Sequence, residues 1–295
     1  MILSEKNRGR CETVQRYSGT YLDERALFMA KGVLVDGCEF DVGESPLKHC
    51  SDVEVANSVF KGKYPLWYSR NVRIRDSRFA PGSRAALWYT DGLSISDTLY
   101  EGEKGIRRCD GVVLKNVSFT NGPETLWACR NVKLDNIKAC GDYLAMNSEN
   151  MEIDGLDLDG KYSFDGCKNV VMRNSKIVGR DAFWNCENIR VEDSYISGAY
   201  LGWNTKGLTL INCTIESLQG MCYIEDLVLK NCKLINTTLA FEYSTVDADI
   251  IGSIDSVLNP SGGRITADSI GTLTLDESLV DVSRTKIILR GSQDV

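Results

Sequence analysis

The chain has 295 residues, 25% of them charged and 43% hydrophobic, with formal charge −7 and a pI near 5.0. That balance argues against nucleic acid or an anionic membrane as the main partner. One histidine, no Cys-x-x-Cys and no phosphate-cradling glycine loop leave no basis for expecting a metal or a cofactor.

The chain opens Met1-Ile2-Leu3-Ser4-Glu5-Lys6, without an apolar leader core, and no later run is long enough to span a bilayer. A cytoplasmic location is therefore expected, although a secreted chain stripped of its leader would read the same. The first sixteen residues are polar and read as a cap. From residue 17 to 249 a frame recurs: polar, Asn or Gly, apolar, x, apolar, x, Asn or Asp. It opens at Val33, Val53, Val72, Leu93, Val112, Val132, Met151, Val170, Ile189, Leu208 and Leu227, in steps of 19 to 21 residues. A fixed period of this size means a solenoid, and the apolar alternation inside each unit is strand periodicity. A leucine-rich repeat needs its Asn one residue further along, and a hexapeptide helix needs a subperiod of six. Three short strands and three turns per unit fit instead.

The expected fold is all-β: a single-stranded, right-handed parallel β-helix of about 12 to 13 coils forming one domain, 1–295. Its hand rests on the general preference of parallel crossovers and on the resemblance described below. Residues 250–295 still alternate but lose the period, and read as irregular closing coils.

Corner chemistry agrees with this architecture. Gly92, Asn131, Asn150, Asn188 and Gly207 precede their openings, where a tight corner needs left-handed geometry. Asn57, Asp76, Asp97, Asn116, Asn136, Asn174, Asp193, Asn212 and Asn231 form a second polar ladder. Cys50, Cys109, Cys129, Cys167 and Cys186 share a column with Ser69, Thr90, Ser148 and Thr205, so they read as small interior residues rather than as a disulfide framework. Coils stacked about 4.8 Å apart put pairs such as Cys213 and Cys232 within bridging reach, with reduced thiols expected in a cytoplasm.

All five tryptophans fall in one column: Phe28, Lys48, Trp67, Trp88, Arg107, Trp127, Met146, Asp165, Trp184, Trp203, Cys222, Phe241. The preceding column is apolar, so by alternation the Trp column points outward and presents indole platforms to sugar rings. One residue further come His49, Tyr68, Tyr89, Arg108, Asn147, Asn185 and Asn204, which supply polar contacts. The platform breaks at Met146 and Asp165. Asp142, Asp165 and Asp181 lie there on three successive coils, and they are the candidate catalytic carboxylates. Glycoside cleavage takes two carboxyl groups about 5 Å or about 6.5–9.5 Å apart. One coil step is about 4.8 Å and two are about 9.6 Å, so both geometries are within reach. The bland reading of each acid is a turn residue.

The phrases Gly43-Glu44-Ser45-Pro46-Leu47-Lys48, Tyr64-Pro65-Leu66-Trp67-Tyr68, Asp181-Ala182-Phe183-Trp184-Asn185 and Leu239-Ala240-Phe241-Glu242-Tyr243-Ser244 resemble an uncharacterised bacterial family of right-handed β-helix proteins. The resemblance runs over nearly the whole chain and implies the pectin-lyase-like fold, with no transferable activity.

The expected function is binding, with hydrolysis as an open addition, of a carbohydrate or glycoconjugate along the stripe of Trp67, Tyr68, Trp88, Tyr89, Arg107, Arg108, Trp127, Asn147, Trp184, Asn185, Trp203 and Asn204. Two alternatives compete with it. One is a non-enzymatic assembly module in which the stripe is a subunit interface. The other is a lyase for an acidic sugar, using the basic aromatic end around Lys48, His49, Tyr68, Arg107 and Arg108.

Overall fold

A computed structural model describes residues 14–290. Strands pair in parallel with the same position one repeat later: Val53 with Val72, Val72 with Leu93, Leu93 with Val112, Val112 with Val132. The chain is a right-handed parallel β-helix of about 14 turns. In a typical coil the strand Arg70–Arg75 forms one side and Arg78–Phe79 a second, with a corner at Asp76 between them. In coils such as Asp110–Phe119 the two strands run on as one through that corner.

The corners follow from residue chemistry. Every member of the Asn and Asp ladder from Asn57 to Asn231 is left-handed, with φ between 48 and 53°. Asn and Asp tolerate this region better than other residues with a side chain. The carboxamides then bond from coil to coil, each donating to the coil before it. Asn136 donates to Asn116 at 2.8 Å, Asn116 to Asp97 at 2.8 Å, and Asn231 to Asn212 and Asn212 to Asp193 at 2.9 Å. An Asp begins such a run because its first member needs only to accept. The corner before each opening behaves likewise, with Gly92 at φ 65°, Asn131 at 53° and Asn150 at 57°.

Inside, Val55, Ile74, Ile95, Leu114 and Leu134 form one buried column. Phe40, Phe60, Phe79 and Tyr100 form another, their rings stacked 4.8–4.9 Å apart. No single coil could bury these groups; each ring is covered by its equivalents above and below.

The third side differs from the strand expected there. In each coil from Arg25 to Tyr243, alternate residues are left-handed, as in Tyr64, Leu66 and Tyr68, then Ala85, Leu87 and Tyr89, then Lys104, Ile106 and Arg108. The inward and outward alternation of side chains survives, because Leu66, Leu87 and Ile106 are fully buried. The backbone bonds still run between coils: Tyr68 N–H donates up to Trp88 at 3.0 Å, while Leu66 N–H donates down to Pro46 at 2.9 Å.

The ends also differ from expectation. Gln15–Tyr21 is already a strand of the helix, paired with Lys31–Phe40, while residues 1–13 of the expected cap lie outside the described residues. Beyond residue 250 the spacing is uneven but the pairing is not: Thr245–Ile250, Gly262–Ala267 and Thr285–Leu289 stack in parallel register. These strands account for the extra turns. Among the described residues no helix is long and apolar enough to cross a membrane.

A column of glycines closes the corner that leads into the third side. A Cβ on Gly62 would lie 2.0 Å from the Gly43 carbonyl oxygen, and one on Gly160 or Gly179 would lie 2.1 Å from the carbonyl of the preceding coil. Gly37, by contrast, has φ +68° with open space around it. Gly37→Ala should therefore cost about 1–2 kcal/mol from backbone strain alone. Gly160→Ala should cost distinctly more, because backbone must move. Equilibrium denaturation of the two variants checks the order; equal losses would refute the close-approach account.

Candidate functional site: the left-handed face

The Trp column lies on the third side, but its indoles are half-buried and their flat faces are turned along the helix axis. Trp67 and Trp88 stack at 5.1 Å and 7°. The Arg107 guanidinium then sits 4.4 Å from the Trp88 ring and 4.3 Å from that of Trp127, while its Nη2 donates to Glu124 at 3.0 Å. Each face of that guanidinium is covered by an indole, a desolvated cation–π arrangement. Further along, Trp184 and Trp203 are tilted by 37° at 6.1 Å. The expected outward platforms are thus corrected: the ring faces pack on one another or on Arg107, and the ring edges meet solvent.

The indole N–H explains why tryptophan is used. Trp88 donates to the Lys104 carbonyl at 2.6 Å, Trp127 to Tyr143 at 2.6 Å and Trp184 to Tyr200 at 2.7 Å; Trp67 bonds Ala85 in the same way. No backbone N–H reaches these carbonyls, because the left-handed residue has turned them out of the ladder. A long flat donor one coil below satisfies them. The Trp column is in the first place an architectural device.

The adjoining column makes the ridge. His49, Tyr68 and Tyr89 stack at 5.2 and 4.8 Å, and the Arg108 guanidinium lies 5.9 Å from the Tyr89 ring. Tyr68 is 44% exposed. Lys48 approaches the Trp67 and Tyr68 rings at 5.6 and 5.7 Å. Arg70 adjoins Tyr68 and His49 in a shallow pocket, and Arg130 adjoins Tyr89 and Arg108 in the next. Among the described residues, Lys48, Arg70 and Arg108 form no ion pair, whereas Arg130 lies 3.5 Å from Asp110. Arg70 was absent from the expected set; only its position one step round the corner from Tyr68 could have suggested it.

In later coils the same column holds Ala128, Asn147, Gly166, Asn185 and Asn204, and then Tyr223 and Tyr243, whose rings lie 5.3 Å apart. Asn204 donates to Asn185 and Asn185 to Asp165, both at 2.9 Å. Gly166 has no side chain to continue that ladder, so Asp165 reaches across from the neighbouring column and supplies its last acceptor. Asn147 Oδ1 occupies the space, 2.2 Å away, where a Gly166 Cβ would stand.

The three candidate catalytic carboxylates do not share one column. Asp142 aligns with Lys161 and Arg180, and its Oδ1 accepts the Lys161 backbone N–H at 2.9 Å. Asp165 lies in the Trp column. Asp181, expected on the outer face, has a completely buried side chain: one oxygen is paired with Arg180 and the other is unpartnered. Its left-handed backbone (φ 63°) places it where Tyr162 and Tyr200 stand in the adjacent coils. Each acid thus already holds a structural bond.

Fold and ridge together define a parallel β-helix with an aromatic, basic strip on its left-handed side. The chain belongs to the family of proteins of unknown function DUF3737, which matches residues 15–288. No curated protein matches it in sequence. Among solved structures it is similar to the A-module of a mannuronan C-5 epimerase from Azotobacter vinelandii, with 10% identity, TM-score 0.39, and 88% of this chain and 89% of that one covered. A tailspike protein of E. coli bacteriophage HK620, solved with a pentasaccharide, shares 9% identity over 88% of this chain and 70% of its own, TM-score 0.38. A capsular polysaccharide depolymerase, the tailspike of Acinetobacter baumannii bacteriophage Fri1, shares 11% over 76% and 54%, TM-score 0.38. Likenesses this distant carry no argument about residues or chemistry here.

Trp88→Phe keeps a ring in the stack but strips the Lys104 carbonyl of its donor, and should destabilise by about 1–2 kcal/mol. Asp165→Asn keeps an acceptor for Asn185 and should change stability by less than about 0.5 kcal/mol. Chemical denaturation measures both; a silent Trp88→Phe would remove the architectural account of the column.

Proposed function

We propose that the protein binds an acidic oligo- or polysaccharide along the ridge of Lys48, His49, Tyr68, Tyr89 and Arg108, with Arg70 at its side. One observation carries the reading. Tyr68 and Tyr89 hold left-handed backbone at φ 57°, where Asn and Gly are favoured and where Asn147, Gly166, Asn185 and Asn204 stand in later coils. A bulky residue there costs about 1–2 kcal/mol. A stacked aromatic pair returns about 0.5–1.5 kcal/mol, which at best cancels that cost. From Asn147 to Asn204 Asn and Gly fill this column, so the fold does not demand tyrosine at Tyr68 and Tyr89, although Tyr223 and Tyr243 return to it in the last coils. Positions that break a local rule without structural gain are where function is expected.

The charge pattern supports an acidic ligand. Among the described residues Lys48, Arg70 and Arg108 have no carboxylate partner, on a chain whose formal charge is −7. Guanidinium groups are suited to carboxylate, sulfate or phosphate oxygens, and phenol and imidazole edges to hydroxyls. The polymer would lie along the helix axis and meet a new side chain about every 4.8 Å. We read the ridge as a binding site, with Asp142, Asp165 and Asp181 kept for structure.

Titrating uronate, sulfated and phosphorylated oligosaccharides while following Tyr and Trp fluorescence tests this. Acidic ligands should bind with an affinity that falls as salt rises, and neutral ones should not respond. Arg108→Ala should weaken binding by about tenfold, the value of one charge-assisted bond. Silence from every acidic oligosaccharide, or an unchanged affinity in Arg108→Ala, would defeat the reading.

A further inference from the structure

The Trp column ends differently from the way it begins. Trp203 is its last tryptophan, and among the described residues the Trp203 indole N–H meets no acceptor. The Gln219 carbonyl, one coil above, accepts instead from the Cys222 thiol at 3.5 Å. Trp203 therefore lacks the architectural task that Trp67, Trp88, Trp127 and Trp184 perform. Cys222 and then Glu242 follow it in the column, since the Tyr223 N–H donates to the Glu242 carbonyl at 2.8 Å as the Asn185 N–H does to that of Trp203 at 3.0 Å. Phe241, expected at that place, is buried one column inward.

With a thiol above it in place of an indole, Trp203 packs instead on Tyr223 of the neighbouring column, at 4.6 Å and 32°, and Tyr243 follows at 5.3 Å and 43°. Rings so tilted leave part of each face open, unlike Tyr68 on Tyr89 at 3° or Tyr143 on Tyr162 at 9°. Tyr223 is exposed, as are Leu218, which precedes Gln219, and Leu239, which follows it one coil up. The field at these rings is negative. Glu242 accepts from Gln219 at 3.2 Å through one oxygen, and its other oxygen has no partner among the described residues. Burial and then the Glu242 charge hold the Tyr223 phenol above its usual range. Elsewhere on this side the chain sets its own cations against the rings: Lys48 on Trp67, Arg107 between Trp88 and Trp127, Arg108 on Tyr89 and Arg180 on Tyr200. At Arg107 a carboxylate, Glu124, completes the set. Among the described residues no Lys or Arg lies against Trp203, Tyr223 or Tyr243, and Lys206 is already paired with Glu225 at 3.1 Å. Here the chain supplies the rings and the carboxylate but no cation of its own.

We propose that Trp203, Tyr223, Tyr243 and Glu242 receive an arginine side chain of a partner polypeptide, whose apolar neighbours cover Leu218 and Leu239. A guanidinium suits the site better than an ammonium, because it stacks flat on a ring while its edge donates to a carboxylate. Arg107 makes both contacts within this same chain. The Trp203 N–H is a donor for a backbone carbonyl of the incoming segment, which a small free cation does not carry. Exposed leucines beside such a site mark an interaction surface rather than a pocket for a lone ion. The assignment does not depend on what the ridge of the first coils binds.

The test titrates the full chain with an array of end-blocked pentapeptides, each with a central arginine between apolar residues, and follows Trp fluorescence. Matched arrays carry glutamine or glutamate at the centre. Arginine peptides should bind and the matched ones should not. Glu242→Gln should weaken the best binder by about tenfold, the worth of one charge-assisted bond. Tyr223→Asn puts into the column the residue it carries at Asn185 and Asn204, so this variant should fold and still lose the peptide. Arg108→Ala should leave peptide affinity unchanged, which separates this site from the ridge. Silence from every arginine peptide, equal binding of the glutamine array, an unchanged affinity in Glu242→Gln, or free arginine amide binding as tightly as the peptides would overturn the assignment.

Discussion

Parallel stacking in register is the constraint from which everything else follows. A residue's nearest neighbours are not those beside it in sequence but its equivalents one repeat away, about 4.8 Å above and below. Each column must therefore be chemically compatible with itself. Apolar columns and aromatic stacks satisfy this directly, and carboxamide ladders do so because each Asn both donates and accepts. Like charges stack unfavourably, so opposite charges often alternate: Lys133 pairs with Glu152, Lys168 with Glu187, and Lys206 with Glu225, while Asp135 beside Asp154 is an exception. Such exposed pairs are each worth less than about 1 kcal/mol. What they chiefly avoid is a column of like charge.

The third side shows how the same constraint handles a conflict. Alternate left-handed residues keep the inward column apolar and the coil tightly closed, but they turn one carbonyl per coil away from the ladder. An unpaired, partly buried carbonyl is costly, and one coil below it a Trp supplies the missing donor. Where Arg107 replaces Trp, the cation inserts between two indoles and is neutralised by Glu124. A binding platform and a structural ladder thus look alike in sequence. They are told apart by whether the ring faces point outward or along the axis.

Much of the fold was legible because columns repeat. The strands, both polar corners, the interior Phe and Cys columns and the period itself can be read from Val33 to Leu227. The left-handed side could not be read as such, since alternating left-handed residues preserve a two-residue periodicity and so mimic a strand. One signal was present: of the residues in this conformation on that side, Ile106 alone is β-branched, as steric exclusion from φ > 0 requires. The acids were the least legible. Nothing in the sequence distinguishes a buried Asp181, a ladder-ending Asp165 and a capping Asp142 from a catalytic cluster, because their roles depend on which neighbour lacks a side chain or leaves an N–H free.

The column beside the tryptophans offers an internal comparison that few folds allow. One chain solves the same steric problem at successive coils, always with left-handed backbone. From Asn147 to Asn204 it uses Asn and Gly, as backbone preference dictates. From His49 to Arg108 it uses imidazole, phenol and guanidinium against that preference, as Tyr223 and Tyr243 do again in the last coils. The core beneath is equally apolar in both stretches, with Leu66 and Leu87 under one and Phe164 and Phe183 under the other. Packing therefore does not impose the difference. The choice costs backbone energy and exposes the rings, and among the described residues Lys48, Arg70 and Arg108 form no ion pair. That contrast is why the proposed binding site is drawn on the ridge of the first coils rather than on the tryptophans or the acidic break.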